Sequence, residues 1–263
     1  MLNQPLRLLW KHRHIIQQTT LNDLRARYAG SVLGLFWLVL YPLMFLGIYA
    51  GIYVFIFRIR FAEFNSADYV VLIFSGLIPF IGFADALGTG VASVSSNANL
   101  VKNTLFPIEL IPVKAVLSSQ ATQLVGTTML LIAIIAVGRL SPTALLFPVI
   151  WVFQIAFSIG FIWILSGLNV LIRDIQNIVS ILVLFLMLVS PIAYTVDMIP
   201  TNLAPLVGLN PLYYFIIAYQ NCLVLGQLPP PHILVMVALL GTVTFTVGFW
   251  FFTRLKLVFA DHA

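Results

Sequence analysis

The sequence predicts an all-α membrane protein with six transmembrane helices, an N-terminal interfacial amphipathic helix, and external re-entrant helices between spans 5 and 6. Three observations carry that prediction. Of 263 residues, 61% are hydrophobic and 8% are charged, against about 25% charged in an average soluble domain. The apolar residues gather into long runs, and a helix of about 20 residues crosses roughly 30 Å of hydrocarbon. Backbone groups in hydrocarbon must bond one another, which favours helices over the alternating pattern of a membrane barrel for runs of this length.

Residues 1–30 interleave Leu6, Leu9, Trp10, Ile15, Ile16, Leu21 and Leu24 with Arg7, Lys11, Arg13, Arg25 and Arg27. That mixture suits a helix lying in the membrane interface. The stretch lacks the apolar run and small-residue cleavage site of a secretory signal, so it is expected to be retained. Uninterrupted apolar stretches then place spans at 32–57, 69–94, 115–137, 144–172, 178–194 and 233–252 of a single transmembrane domain, 1–263. Between spans 2 and 3, residues 95–114 form a polar segment with Asn97, Asn99, Lys102, Asn103 and Glu109 around Leu100, Val101, Leu105 and Phe106. Pro107 and Pro112 are expected to end or kink any helix there. Residues 196–232 are an external segment broken by Pro200, Pro205, Pro211 and Pro229 to Pro231. Its apolar piece 212–225 is short for a span, which suits half-inserted helices.

Orientation follows from the basic residues. With the N-terminus inside, Arg7, Lys11, Arg13, Arg25, Arg27, Lys102, Lys114, Arg173, Arg254 and Lys256 fall on the cytoplasmic side, and Arg58, Arg60 and Arg139 fall outside. Both termini are therefore expected in the cytoplasm. The +5 formal charge is scattered between spans and forms no continuous face for nucleic acid.

Several chemistries are disfavoured. Cys222 is the one cysteine, so no intramolecular disulfide forms, and apart from His12 and His14 the four histidines do not show metal-ligand spacing. No Gly-Lys pair occurs, so the chain has no phosphate loop of its own. If ATP drives the protein, ATP and Mg belong to a partner subunit. Neither an enzyme on polyprenyl phosphates, which would need acids or histidines clustered at one membrane face, nor a transporter built from inverted repeats finds support.

Four groups of residues remain as candidates. Asp85 lies within the second span beside Gly88 and Gly90, and an intramembrane acid is a functional candidate, with a hydrogen-bonded bundle-facing acid as the plainer reading. Trp37, Tyr41, Phe45, Tyr49, Tyr53 and Phe57 put an aromatic at every fourth position. They suit a path along which sugar rings slide, or simple packing, and a four-residue step drifts about 40° per repeat around an ideal helix. Arg25 and Arg27 precede the first span, where they suit a pyrophosphate head group or topological anchoring. Asn97, Asn99, Leu100, Lys102 and Phe106 lie in the cytoplasmic segment.

The stretch Asn22-Asp23-Leu24-Arg25-Ala26-Arg27-Tyr28-Ala29-Gly30-Ser31-Val32-Leu33-Gly34-Leu35-Phe36-Trp37 resembles the entry to the first span in permeases of polysaccharide-exporting ABC transporters, the O-antigen and teichoic acid exporter type. The resemblance continues through Gly76-Leu77-Ile78-Pro79, Asn99-Leu100-Val101-Lys102 with Phe106-Pro107, Arg173-Asp174-Ile175, Ser190-Pro191 and Asn210-Pro211-Leu212. It implies a non-catalytic permease in the bacterial inner membrane, working as a homodimer with a nucleotide-binding ATPase subunit. It further implies that the chain moves polyprenyl-pyrophosphate-linked O-antigen-type polysaccharide, with capsule glycan, teichoic acid or another amphiphile as alternatives. It also implies that the segment matching 97–107 is the ATPase coupling helix and that the pieces after Ser190 are re-entrant helices at the exit.

Overall fold

The computed structural model describes residues 3–56, 66–97, 107–194, 202 and 204–262. Among them every regular element is helical. In chain order these are α1 (Asn3–Lys11), α2 (Arg13–Tyr28), α3 (Trp37–Ala50) with a π-helical continuation Gly51–Ile56, and α4 (Ser66–Gly90). There follow the single turn α5 (Ser93–Ser96), α6 (Leu110–Ala136), α7 (Phe147–Leu171) and α8 (Ile175–Val189). The chain ends in α9 (Ala204–Gly208), α10 (Pro211–Tyr219) with a π-helical continuation Gln220–Leu225, and α11 (Pro231–His262).

Among the described residues five stretches have the length and apolarity to cross a membrane: Gly34–Val54, Ala67–Gly90, Leu110–Ala136, Pro142–Leu171 and Pro231–Lys256. The fifth expected span is instead a helix of 15 residues, Ile175–Val189, about 22 Å long at 1.5 Å per residue. The third expected span starts early, at Leu110, because Pro112 sits in the first turn of α6, where a missing N–H removes no helical bond. The polar segment 95–114 therefore ends as a helical turn. The last span runs past residue 252 to His262. Of the expected coupling residues Asn97 is described, while Asn99, Leu100, Lys102 and Phe106 lie outside the described residues, as do Phe57, Arg58 and Arg60.

α4 is the hub. Of its most apolar window 83% is buried inside the protein, against 6% for Gly34–Val54, so α4 is enclosed by neighbours while span 1 lies at the edge. A helix apolar on every side is suited to that place. α7 and α11 pack backbone to backbone through glycines: a methyl group on Gly248 would overlap the Gly160 carbonyl, and one on Gly160 would overlap the Thr244 carbonyl. Such close approach lets dispersion hold helices together where hydrocarbon surrounds them. Next to this contact Trp163 packs on Phe245 and Phe249, with ring centroids 5.2 and 5.3 Å away.

Polar contacts collect at the two ends of the bundle. At one end Lys256 Nζ meets Glu109 Oε1 at 2.5 Å, Trp163 Nε1 donates to the Glu109 carbonyl at 2.9 Å, and Asn169 Nδ2 donates to Ser95 Oγ at 3.2 Å. α2 lies at this same end. At the other end Arg139 meets Asp68 at 2.7 Å and Thr143 Oγ1 donates to the Cys222 carbonyl at 2.9 Å. After α8 the chain is extended at Ser190, and the Ala193 carbonyl accepts from Tyr69 Oη at 2.7 Å, near the start of α4. Asn210 then returns beside Ser190, its Nδ2 donating to Ser190 Oγ at 2.9 Å, while its Oδ1 caps α10 through the Leu212 N–H.

Candidate functional site

Asp23 and Arg27 stand four residues apart on α2 and so share one face. That face lies against α4 and α6. Arg27 donates to Asp85 on α4 at 2.7 Å and, at 3.4 Å, to Ser118 on α6. Lys114 on α6 reaches back to Asp23 at 3.0 Å. α2 thus supplies one cation and one anion, and the bundle supplies the complement of each. The Arg27 and Asp85 side chains are 25% and 22% exposed, whereas Lys114 is 9% exposed; the second pair is anchored in the more deeply buried group. Asp85 is therefore a bundle-facing acid with a defined partner.

Arg25 is two residues from both Asp23 and Arg27, on the opposite face of α2, and is exposed. The structure separates the two arginines rather than aiming them at one point. Beside Arg27 opens a cavity of ≈ 300 Å³ lined by Arg27, Tyr28, Trp37, Tyr41, Asp85 and Thr122. Trp37 is held at its mouth by donation of Nε1 to Ser31 Oγ at 3.1 Å.

The aromatic series winds about span 1. Trp37 and Tyr41 face the cavity, Phe45 packs on Tyr41 at 4.9 Å between ring centroids, and Tyr49 is buried and stacked on Tyr53 at 6.0 Å. Its described members, Trp37 to Tyr53, accordingly divide between the cavity wall and the core. Asn97 Nδ2 donates to the Ser93 carbonyl at 2.8 Å, closing the turn of α5.

Sequence reasoning, which weighed charges and aromatics, missed an uncharged cluster at the middle of α6 and in the first third of α7. Tyr219 Oη donates to Gln154 Oε1 at 2.6 Å. Gln123 Nε2 lies 2.8 Å from the same oxygen, and Gln154 Nε2 donates to the Pro79 carbonyl at 2.9 Å. All three side chains are buried. Gly82 makes room for it, since a methyl there would overlap Gln123 Oε1. Uncharged amides inside otherwise apolar spans were the available signal. Among the described residues no three His, Cys, Asp or Glu side chains gather as metal ligands.

Residues 15–224 match the family described as ABC-2 type transporter. The chain is 29% identical over 244 residues to an O-antigen export system permease protein RfbA of Klebsiella pneumoniae, covering 92% of each chain. It is 27% identical over 260 residues to the protein of the same name from Myxococcus xanthus, covering 97% of this chain and 98% of that one. It is 24% identical over 235 residues to the polysialic acid transport protein KpsM of Escherichia coli, covering 89% and 90%.

Proposed function

The chain belongs to the ABC-2 type transporter family, and from that premise we propose that it is the permease subunit of a polysaccharide exporter of the O-antigen type. The observation that carries this reading is end-to-end similarity to O-antigen export system permeases, which leaves no large segment of either chain unmatched. The more distant similarity to a polysialic acid transport protein keeps capsule-type glycans as the second reading. Hydrolysis of ATP falls to a separate nucleotide-binding subunit, in keeping with the absence of a Gly-Lys pair. Two copies of the chain enclose the sugar path in the bacterial inner membrane.

In this reading the α2 end faces the cytoplasm. The excess of Arg and Lys at that end supports it, as does the Lys256–Glu109 pair that brings the last helix back to the side of α2. Six crossings result when α8 counts as one, a reading supported by the path from Arg173 at the α2 end to Ala193 beside Tyr69 near the start of α4. α9 and α10 then form the re-entrant pair, and the segment 97–107 contacts the ATPase. A lipid-linked glycan approaches at α2, where the cavity beside Arg27 and Asp85 offers both a cation and aromatic walls. The test is reconstitution with the candidate ATPase and measurement of ATP turnover with and without lipid-linked oligosaccharide. Stimulation by the oligosaccharide is expected; absence of any association with an ATPase would overturn the assignment.

A further inference from the structure

A second, smaller cavity of ≈ 140 Å³ lies on the other side of Arg27, bordered by Asp23, Arg27, Thr89, Ser93, Lys114 and Ser118 among others. We propose that it is a phosphoryl-binding site in which the ligand replaces the Asp23 carboxylate on Lys114. The proposal rests on the reading of α2 as the side where lipid-linked glycan enters, and it names residues that this reading did not include.

Three donors from three elements converge there. The Lys114 side chain is 9% exposed, and its ammonium carries three N–H donors, with Asp23 Oδ1 and Oδ2 at 3.2 and 3.0 Å. Arg27 presents Nη2, which makes only a long 3.4 Å contact to Ser118 while Nη1 holds Asp85. Ser93 is 6% exposed, and its hydroxyl has no hydrogen-bond partner among the described residues, an arrangement that costs free energy unless something occupies the cavity wall. Thr89 and Ser118 donate to carbonyls of their own helices at 2.9 and 3.0 Å, so of the buried hydroxyls on the cavity wall Ser93 is the one without a partner among the described residues. A phosphoryl group has three terminal oxygens to meet Lys114, Arg27 and Ser93.

The charges select the same ligand. With Asp23 in place the two cations are balanced by two carboxylates, Asp85 on Arg27 and Asp23 on Lys114, so an anion gains only once Asp23 withdraws and leaves Lys114 unanswered. Asp23 is able to withdraw because its side chain is 38% exposed. A ligand held by Arg27 on α2 and by Lys114 and Ser93 on the bundle takes over the bridge that the Asp23–Lys114 pair supplied, so occupancy keeps α2 on the bundle while it frees Asp23.

The full chain in phosphatidylcholine nanodiscs tests this without the ATPase. Equilibrium binding of radiolabelled inorganic phosphate and of a prenyl monophosphate placed in the nanodisc is measured for wild type and variants. Lys114→Met is expected to weaken binding about tenfold or more and Ser93→Ala by several-fold, the loss of a charge-assisted and of a neutral hydrogen bond respectively. Asp23→Asn is expected to tighten binding several-fold, a gain that misfolding cannot mimic. Lys114→Arg is expected to retain binding and Lys11→Gln, on exposed α1, to leave it unchanged. Binding of the prenyl phosphate alone assigns the site to a lipid head group; binding of inorganic phosphate as well assigns it to the phosphoryl group irrespective of its carrier. Failure of wild type to bind either probe, or weakening by Asp23→Asn, overturns the proposal and leaves the permease assignment to its own test.

Discussion

Neutralising Arg27 and Asp85 singly and together tests whether α2 is held to α4 by their mutual attraction. Arg27→Gln and Asp85→Asn keep shape and some hydrogen-bonding capacity while removing charge. At about 4 Å between charge centres the Coulomb attraction is about 4 kcal/mol at an effective dielectric of 20. Both side chains are about a quarter exposed, so water screens part of it and the coupling energy falls to about 1–2 kcal/mol. Each single change leaves its partner's charge partly buried, costing about 2 kcal/mol, below the 3–5 kcal/mol of a fully buried pair. The double change is expected to cost less than the sum of the singles by the coupling energy, and the difference should shrink in high salt. The assay is thermal unfolding of the full chain in detergent micelles at low and high ionic strength, with export by the assembled transporter measured alongside. If the two single effects add to within about 0.3 kcal/mol, the pair does not hold α2 and the site has been misread.

Other parts of the bundle make equally direct predictions. Gly248→Leu forces apart the α7 and α11 backbones, which already leave no room for a methyl group; it is expected to destabilise by about 3 kcal/mol or more, read as a large drop in the detergent unfolding temperature. Gln154→Leu strands Tyr219 Oη and Gln123 in an apolar interior at about 1–3 kcal/mol, whereas the triple change Gln123→Leu, Gln154→Leu and Tyr219→Phe is expected to recover much of that loss in the same measurement. Glu109→Gln leaves Lys256, 40% exposed, free to reach water, so its cost in stability is expected to stay below about 1 kcal/mol; a larger loss would mean that the pair is less hydrated than its exposure indicates.

The helical class and most spans were legible because composition and run length respond to the solvent, and the solvent is hydrocarbon. The fifth span was less legible: the apolar run 178–194 continues through Ser190 and Pro191, but Pro191 has no N–H, and the backbone turns extended at Ser190. Arg27 and Asp85 were each visible as candidates, yet their pairing was not, since 58 positions separate them and nothing local links them. Glu109 and Lys114 read as loop residues because charge interrupts the apolar run. They stand at the start of α6 instead, their charges answered by Lys256 and Asp23, 147 and 91 positions away. A charge at a helix end is tolerated when a distant element meets it, and single-sequence periodicity carries no such information.

The distribution of these contacts follows from the cost of desolvation. Ion pairs sit at the two ends of the bundle, each with at least one partner between 22% and 40% exposed, where water or counterions can replace either member when the pair opens. Between those ends, at the middle of α6, the polar contacts are uncharged, fully enclosed amides and a phenol, which no solvent would compensate if parted. Separating the middle is therefore far more costly than separating the ends. Any rearrangement that carries α2 away from α4 and α6 is thus cheapest as a movement at the charged end about a fixed centre, and the residues that set its energy are Asp23, Arg27, Asp85 and Lys114.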